Sequence, residues 1–166
     1  MANFTWKGNP VTQIGRDLKV GEKAPEFNLL ANDLSPVTLA DSHGKVRLIS
    51  VIPSIDTPVC DAQTRRFNEE ASKLDNVEIL TISADLPFAQ KSWCAANGIG
   101  NVQTLSDHRD LLFGEAYGVA IQELRLLARA IFVVDKNDLV TYVEYINEST
   151  DHPNYEAALK AAKAVS

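Results

Sequence analysis

A chain of 166 residues, 45% hydrophobic and 23% charged, has the composition of one soluble globular domain over residues 1–166 and excludes the disordered and collagen-like classes. A formal net charge of -6 argues against nucleic acid or a membrane surface as partner, because phosphate backbones and anionic lipids attract basic surfaces. Residues 1–7 lack a basic segment followed by an apolar stretch, and no later apolar run reaches the ~20 residues that span a bilayer, so a cytoplasmic location is expected, where a pairing of the two cysteines would be cycled rather than permanent.

Phe4-Thr5-Trp6 and Val11-Thr12-Gln13-Ile14 carry β-prone residues on either side of the turn-like Lys7-Gly8-Asn9-Pro10, which predicts an opening hairpin. Residues 15–45 read as loops with short strands around Phe27-Asn28-Leu29-Leu30 and Val37-Thr38-Leu39. The run Val46-Arg47-Leu48-Ile49-Ser50-Val51-Ile52 then has the β-branched continuity of a strand buried on both sheet faces. From 59 to 74, Ala62, Phe67, Ala71 and Leu74 fall at helical spacing among charged residues, which predicts an amphipathic helix. A second strand follows over 77–83, and a helix over 87–96 has Pro87 in its first turn and Asn97-Gly98 at its close. The remaining pattern is a short strand at 102–105, a short helix over 109–117 ending at Gly118, a buried strand at 130–134, an antiparallel partner over 139–146 and a final helix over 153–165. Strands alternating with helices, closed by a hairpin and a helix, predict a three-layer α/β/α domain around a central mixed sheet.

The chemistry concentrates in Pro53-Ser54-Ile55-Asp56-Thr57-Pro58-Val59-Cys60, which joins the first long strand to the first long helix at the carboxyl edge favoured by ligand sites in α/β sheets. Thr57 suits an N-cap, Pro58 the first helical position, and Cys60 falls in the first turn. Unpaired N–H groups and the positive end of the helix dipole there favour thiolate over thiol, whereas an ordinary thiol, with a pKa of about 8.5, is mostly protonated at neutral pH. Read alone, a cysteine such as Cys60 is more often a small buried apolar residue, and Cys94, within the second long helix, could equally be a packing residue.

Pro53-x-x-x-Thr57-x-x-Cys60 resembles the active-site motif of the peroxiredoxins, and the longer run from Pro53 to Asn68 is similar to the atypical 2-Cys thiol peroxidase branch. The resemblance continues through Val20-Gly21-Glu22-Lys23-Ala24-Pro25-Glu26-Phe27 and Leu127-Ala128-Arg129-Ala130-Ile131-Phe132-Val133-Val134-Asp135. It implies a thioredoxin-like fold, with Cys60 as the thiol that attacks hydrogen peroxide or an organic hydroperoxide. It further implies Cys94 as the resolving thiol, Thr57 as a hydroxyl partner of sulfur and peroxide, Pro53 as part of the site and Arg129 as the cation beside the sulfur. Arg125, four residues earlier, is the alternative if the register differs. The region 151–166 lacks the second thiol that intersubunit resolution requires, so the resemblance implies an intramolecular disulfide between Cys60 and Cys94. Thioredoxin or a similar dithiol protein is the implied reductant and a homodimer the implied assembly.

Cys60 and Cys94 do not form a Cys-x-x-Cys pair, which disfavours ordinary thioredoxin chemistry. His43, His108 and His152 lie in scattered polar surroundings without zinc-like spacing, and no Gly-rich phosphate loop or dinucleotide fingerprint occurs, so neither metal nor cofactor is expected. Trp6, Phe67 and Trp93 read as packing residues. The rival class is a non-catalytic redox sensor using the same thiols, which would stop after one equivalent of peroxide where an enzyme turns over.

Overall fold

The computed structural model describes residues 2–166. Strands β1 (Thr5–Trp6), β2 (Asn9–Pro10), β3 (Gln13–Ile14), β4 (Asn28–Leu30) and β5 (Pro36–Thr38) precede the long buried strand β6 (Val46–Val51). Helix α1 (Pro58–Ala71), strand β7 (Val77–Ser83), helix α2 (Pro87–Asn97) and strand β8 (Gln103–Ser106) follow in alternation. Short elements α3 (Leu112–Ala116), β9 (Ala120–Ile121) and β10 (Leu126–Leu127) lead to β11 (Ala130–Val134), β12 (Val140–Tyr145) and the final helix α4 (Tyr155–Val165).

Among the described residues seven strands form one mixed sheet in the order β12-β11-β6-β7-β8-β4-β5. The β6-β7-β8 core is parallel, and β11 runs antiparallel to both β6 and β12. Because side chains alternate across a strand, each strand feeds two cores. Val46, Leu48, Ile79, Ile131 and Val133 meet Phe67 of α1 and Ala158, Leu159 and Ala162 of α4 on one face. Ile49, Val51, Leu80, Ile82, Phe132 and Val134 meet Phe27, Phe113 and Tyr117 on the other. The three-layer α/β arrangement predicted from the element order is the one observed, and it is the thioredoxin-like fold that the resemblance implies.

Two details differ from the sequence reading. The opening hairpin is tighter than expected, because β1 pairs with Asn9–Pro10 across a two-residue turn in which Lys7 and Gly8 both have positive φ (48° and 83°). Gln13–Ile14 joins β9 and β10 in a separate sheet instead. Helix α3 starts at Leu112 rather than at 109, since Leu111 is held in the left-handed region (φ 53°) and the buried Asp107 carboxylate accepts the Phe113 and Gly114 N–H groups.

The central strand is anchored at its amino end by Arg47, which is wholly buried although charged. Its guanidinium donates to the Ser42 and Lys45 carbonyls at 2.8 and 2.9 Å and pairs with Asp138 in the β11–β12 turn. A buried charge is tolerable only when most of its donors are occupied in this way; here both Nη atoms are paired and Nε is not.

Candidate active site

At the other end of β6, backbone pairing continues to Ile52, whose N–H donates to the Ile82 carbonyl at 3.0 Å, and the chain then leaves the sheet through Pro53 toward α1. Asp85, two residues before α2, fixes this loop by accepting the Ser54 hydroxyl at 2.8 Å and the Ile55 N–H at 2.7 Å. Thr57 occupies the N-cap position with extended backbone (φ -95°, ψ 149°), and Pro58 opens the helix, as expected. Its side chain does not cap: the Thr57 hydroxyl donates to the Ser54 carbonyl at 3.0 Å, so no side chain occupies the N–H groups of the first helical turn.

Cys60 lies in that first turn, fully buried in a small apolar cluster with Ile52, Ile55 and Trp93. Arg129 reaches it from the residue before β11. Nη1 of this buried arginine stands 3.3 Å from the Cys60 sulfur and donates to Gln63 Oε1 at 2.9 Å, while Nη2 donates to the Ser149 carbonyl at 2.8 Å. Gln63 Nε2 in turn donates to the Ser50 hydroxyl at 2.7 Å, which ties the guanidinium to β6 through one buried amide. An anionic sulfur at this position would therefore meet a guanidinium donor and the positive end of a helix together. Arg125 is exposed in the β9–β10 turn at positive φ, and of the two arginines it is Arg129 that lies against the Cys60 sulfur. Pro53 borders a small hollow with Arg129, Ile146, Asn147, Ser149 and Trp6, so the opening hairpin forms one wall beside the guanidinium.

Cys94 is half-buried on α2 and packs against the cluster that holds Cys60. Its sulfur lies 3.6 Å from the Thr104 hydroxyl, and burial pushes its thiol pKa up, partly opposed by that contact. Both cysteines are free thiols here. Trp93 anchors α2 against α1: its indole N–H donates to Asp61 Oδ2 at 3.2 Å, and the Arg65 guanidinium lies 5.5 Å from its ring centroid. The structure thus gathers Pro53, Thr57, Cys60 and Arg129 at one sheet edge with Cys94 on the adjoining helix.

The sequence reading missed Gln63, Ser50 and Ser149. Gln63 lies one helical turn beyond Cys60, and that i, i+3 spacing was the available signal. Ser149 contributes only its carbonyl and left no side-chain signal. His43 and His152 are exposed and bonded to Asp138 and Tyr155, and no cluster able to hold a metal occurs among the described residues. No described helix is long and apolar enough to cross a membrane.

A thioredoxin-like sheet that presents a buried helix-N-terminal thiol to a buried arginine defines a thiol-based redox protein. The comparisons with known proteins make that class specific. The sequence model of the Redoxin family matches residues 19–159, and the chain belongs to that family. It is 71% identical over 164 residues to the thiol peroxidase of Halalkalibacterium halodurans, covering 99% of each chain, and 64% identical over 165 residues to that of Bacillus subtilis, again covering 99% of each. The crystal structure of a peroxiredoxin-like protein from Aquifex aeolicus, 39% identical, superposes with a TM-score of 0.92 over 100% of this chain and 98% of that one. These whole-chain relationships make the protein a peroxidase enzyme of the peroxiredoxin type.

Proposed function

We propose that Cys60 is the peroxidatic thiol and that the enzyme reduces hydrogen peroxide and organic hydroperoxides through a disulfide with Cys94. The observation that carries this reading is the Arg129 Nη1 donor 3.3 Å from a sulfur seated in the first turn of α1. The Cys60 thiolate attacks the terminal peroxide oxygen with its lone pair, the O–O bond breaks, and the remaining oxygen leaves as water or alcohol after taking a proton. The sulfur is oxidised by two electrons to the sulfenic acid. Arg129 offers N–H donors to the peroxide oxygens as charge shifts between them, and the Thr57 hydroxyl, one helical turn before the sulfur, is the second partner assigned to the substrate. The Cys94 sulfur then attacks the sulfenic sulfur, expelling water and forming the S–S bond.

The disulfide is opened by thiol–disulfide exchange with an external dithiol protein of the thioredoxin type, which carries away the two electron equivalents. The same reading includes a homodimer acting in the cytoplasm, for which exposed Leu86, Phe88 and Leu112 offer apolar surface. Peroxide consumption with excess thioredoxin, thioredoxin reductase and NADPH tests the cycle. Cys60→Ser should abolish turnover, while Cys94→Ser should consume a single equivalent of peroxide and then stop. Wild-type rates retained by Cys60→Ser would overturn the assignment.

A further inference from the structure

Glu148, in the loop between β12 and α4, divides its carboxylate between two neighbours. Oε1 accepts the Thr5 hydroxyl at 2.9 Å and the Gly8 N–H at 2.7 Å from the opening hairpin. Oε2 accepts the Thr150 N–H at 2.7 Å, the Thr150 hydroxyl at 2.5 Å and the Ser149 hydroxyl at 3.3 Å. These donors, those of Thr150 foremost, pull its pKa down to about 2, so the carboxylate stays ionised at any pH where the enzyme would work.

The Thr150 N–H belongs to the same peptide unit as the Ser149 carbonyl. A trans peptide is planar and its N–H and C=O point in opposite directions, and no cis peptide occurs among the described residues. Holding the N–H toward Glu148 therefore turns the Ser149 oxygen the other way, where it accepts Arg129 Nη2 at 2.8 Å. That contact matters because Arg129 Nε is buried without a partner. The plane of the guanidinium is thus set by Gln63 at Nη1 and by Ser149 at Nη2, and the same Nη1 faces the Cys60 sulfur. The loop has backbone anchors besides Glu148: the Thr5 N–H donates to the Asn147 carbonyl at 2.7 Å and the Ser149 N–H to the Thr5 carbonyl at 3.0 Å.

We infer that Glu148 is a positioning residue for the peroxidase reaction, aiming the Arg129 guanidinium at the Cys60 sulfur through the Ser149–Thr150 peptide. The inference rests on the roles given above to Cys60 and Arg129. Misplacing a reacting group by about an ångström can slow a reaction by up to ~100-fold, and loss of this indirect support should slow it by roughly tenfold.

The test is the single-turnover rate of the reduced full-length enzyme with hydrogen peroxide, for Glu148→Ala in the wild-type and Arg129→Met backgrounds. The expected result is a loss of about tenfold that vanishes in the Arg129→Met background, because a residue acting through Arg129 has nothing left to position. Glu148→Gln, judged by the same two criteria, takes its place if the alanine variant does not fold. An unchanged rate would overturn the inference, as would the same fold-loss in both backgrounds, which would mark Glu148 as a general stabiliser of the loop. Absence of any peroxide reaction in the wild type would instead remove the underlying assignment of Cys60, and the positioning role with it.

Discussion

Replacing Arg129 by methionine removes the guanidinium while keeping an unbranched side chain in a site only 2% exposed. The structure separates the consequences for rate and for stability. For rate, the lost group is a preorganised donor 3.3 Å from the attacking sulfur, and deleting one such donor from a water-poor site typically costs ~100- to 1000-fold, about 2.7–4 kcal/mol of transition-state stabilisation. For stability, Gln63 Oε1 and the Ser149 carbonyl lose their donor, at about 1–3 kcal/mol for the buried Gln63 oxygen and less for the part-buried carbonyl. Removal of a buried cation whose own Nε lacks a partner offsets part of that cost, so the variant should fold and melt somewhat earlier. Rapid mixing of the reduced enzyme with peroxide measures the rate, and calorimetry the melting temperature. Arg125→Met, on the exposed turn four residues earlier, is the control and should be indistinguishable from wild type. A rate for Arg129→Met within threefold of wild type, or an equal loss in Arg125→Met, would refute this account of the site.

Disulfide formation should loosen α2, because Cys94 is bonded within a packed helix and Cys60 is wholly buried; hydrogen exchange over 87–97 and around Cys60 should accelerate on oxidation, with a change in Trp93 fluorescence that Trp93→Phe eliminates. Identical exchange in reduced and oxidised protein would show that the sulfurs meet without unwinding. Asp107 supplies a pH signature: burial, aided by Asp110 and Glu115, raises its pKa from 3.8 to about 6 despite the N–H bonds from α3. A carboxyl raised on folding favours the folded state most below its unfolded pKa, and that contribution is lost as pH rises through the folded value. Stability measured from pH 4 to 7 should therefore fall more steeply in wild type than in Asp107→Asn, and parallel profiles would contradict the assignment.

The buried strands were the most legible part of the fold. β11 lies at the predicted 130–134 and β6 within one residue of its expected end, because uninterrupted β-branched runs leave little choice of structure. The opening hairpin was misregistered since its turn places a lysine at positive φ, a position that glycine or asparagine would have signalled, and since Pro10 inside a strand argues against pairing except at an edge. Around the candidate site, the nearness of Pro53, Thr57, Arg129 and Cys94 to Cys60 follows the family resemblance, and Thr57 sits at the expected N-cap position although its side chain makes no cap. Gln63 was hidden among the polar residues of α1, whose chemistry depends on which face turns inward. Glu148 and Ser149 act through the backbone of a loop, where residue type says little about the direction of a carbonyl.

Arg47 gives the central strand a fixed end. It locks the amino terminus of β6 to the β11–β12 turn through Asp138, while the carboxyl terminus of the same strand is tied through Ser50, Gln63 and Arg129 to the reactive sulfur. The sheet would then serve as the stator against which α2 moves when the disulfide forms. Substitutions along α2 would tune how often the enzyme cycles, leaving the chemistry of each stroke intact, and directed evolution toward faster recycling would find its gains there.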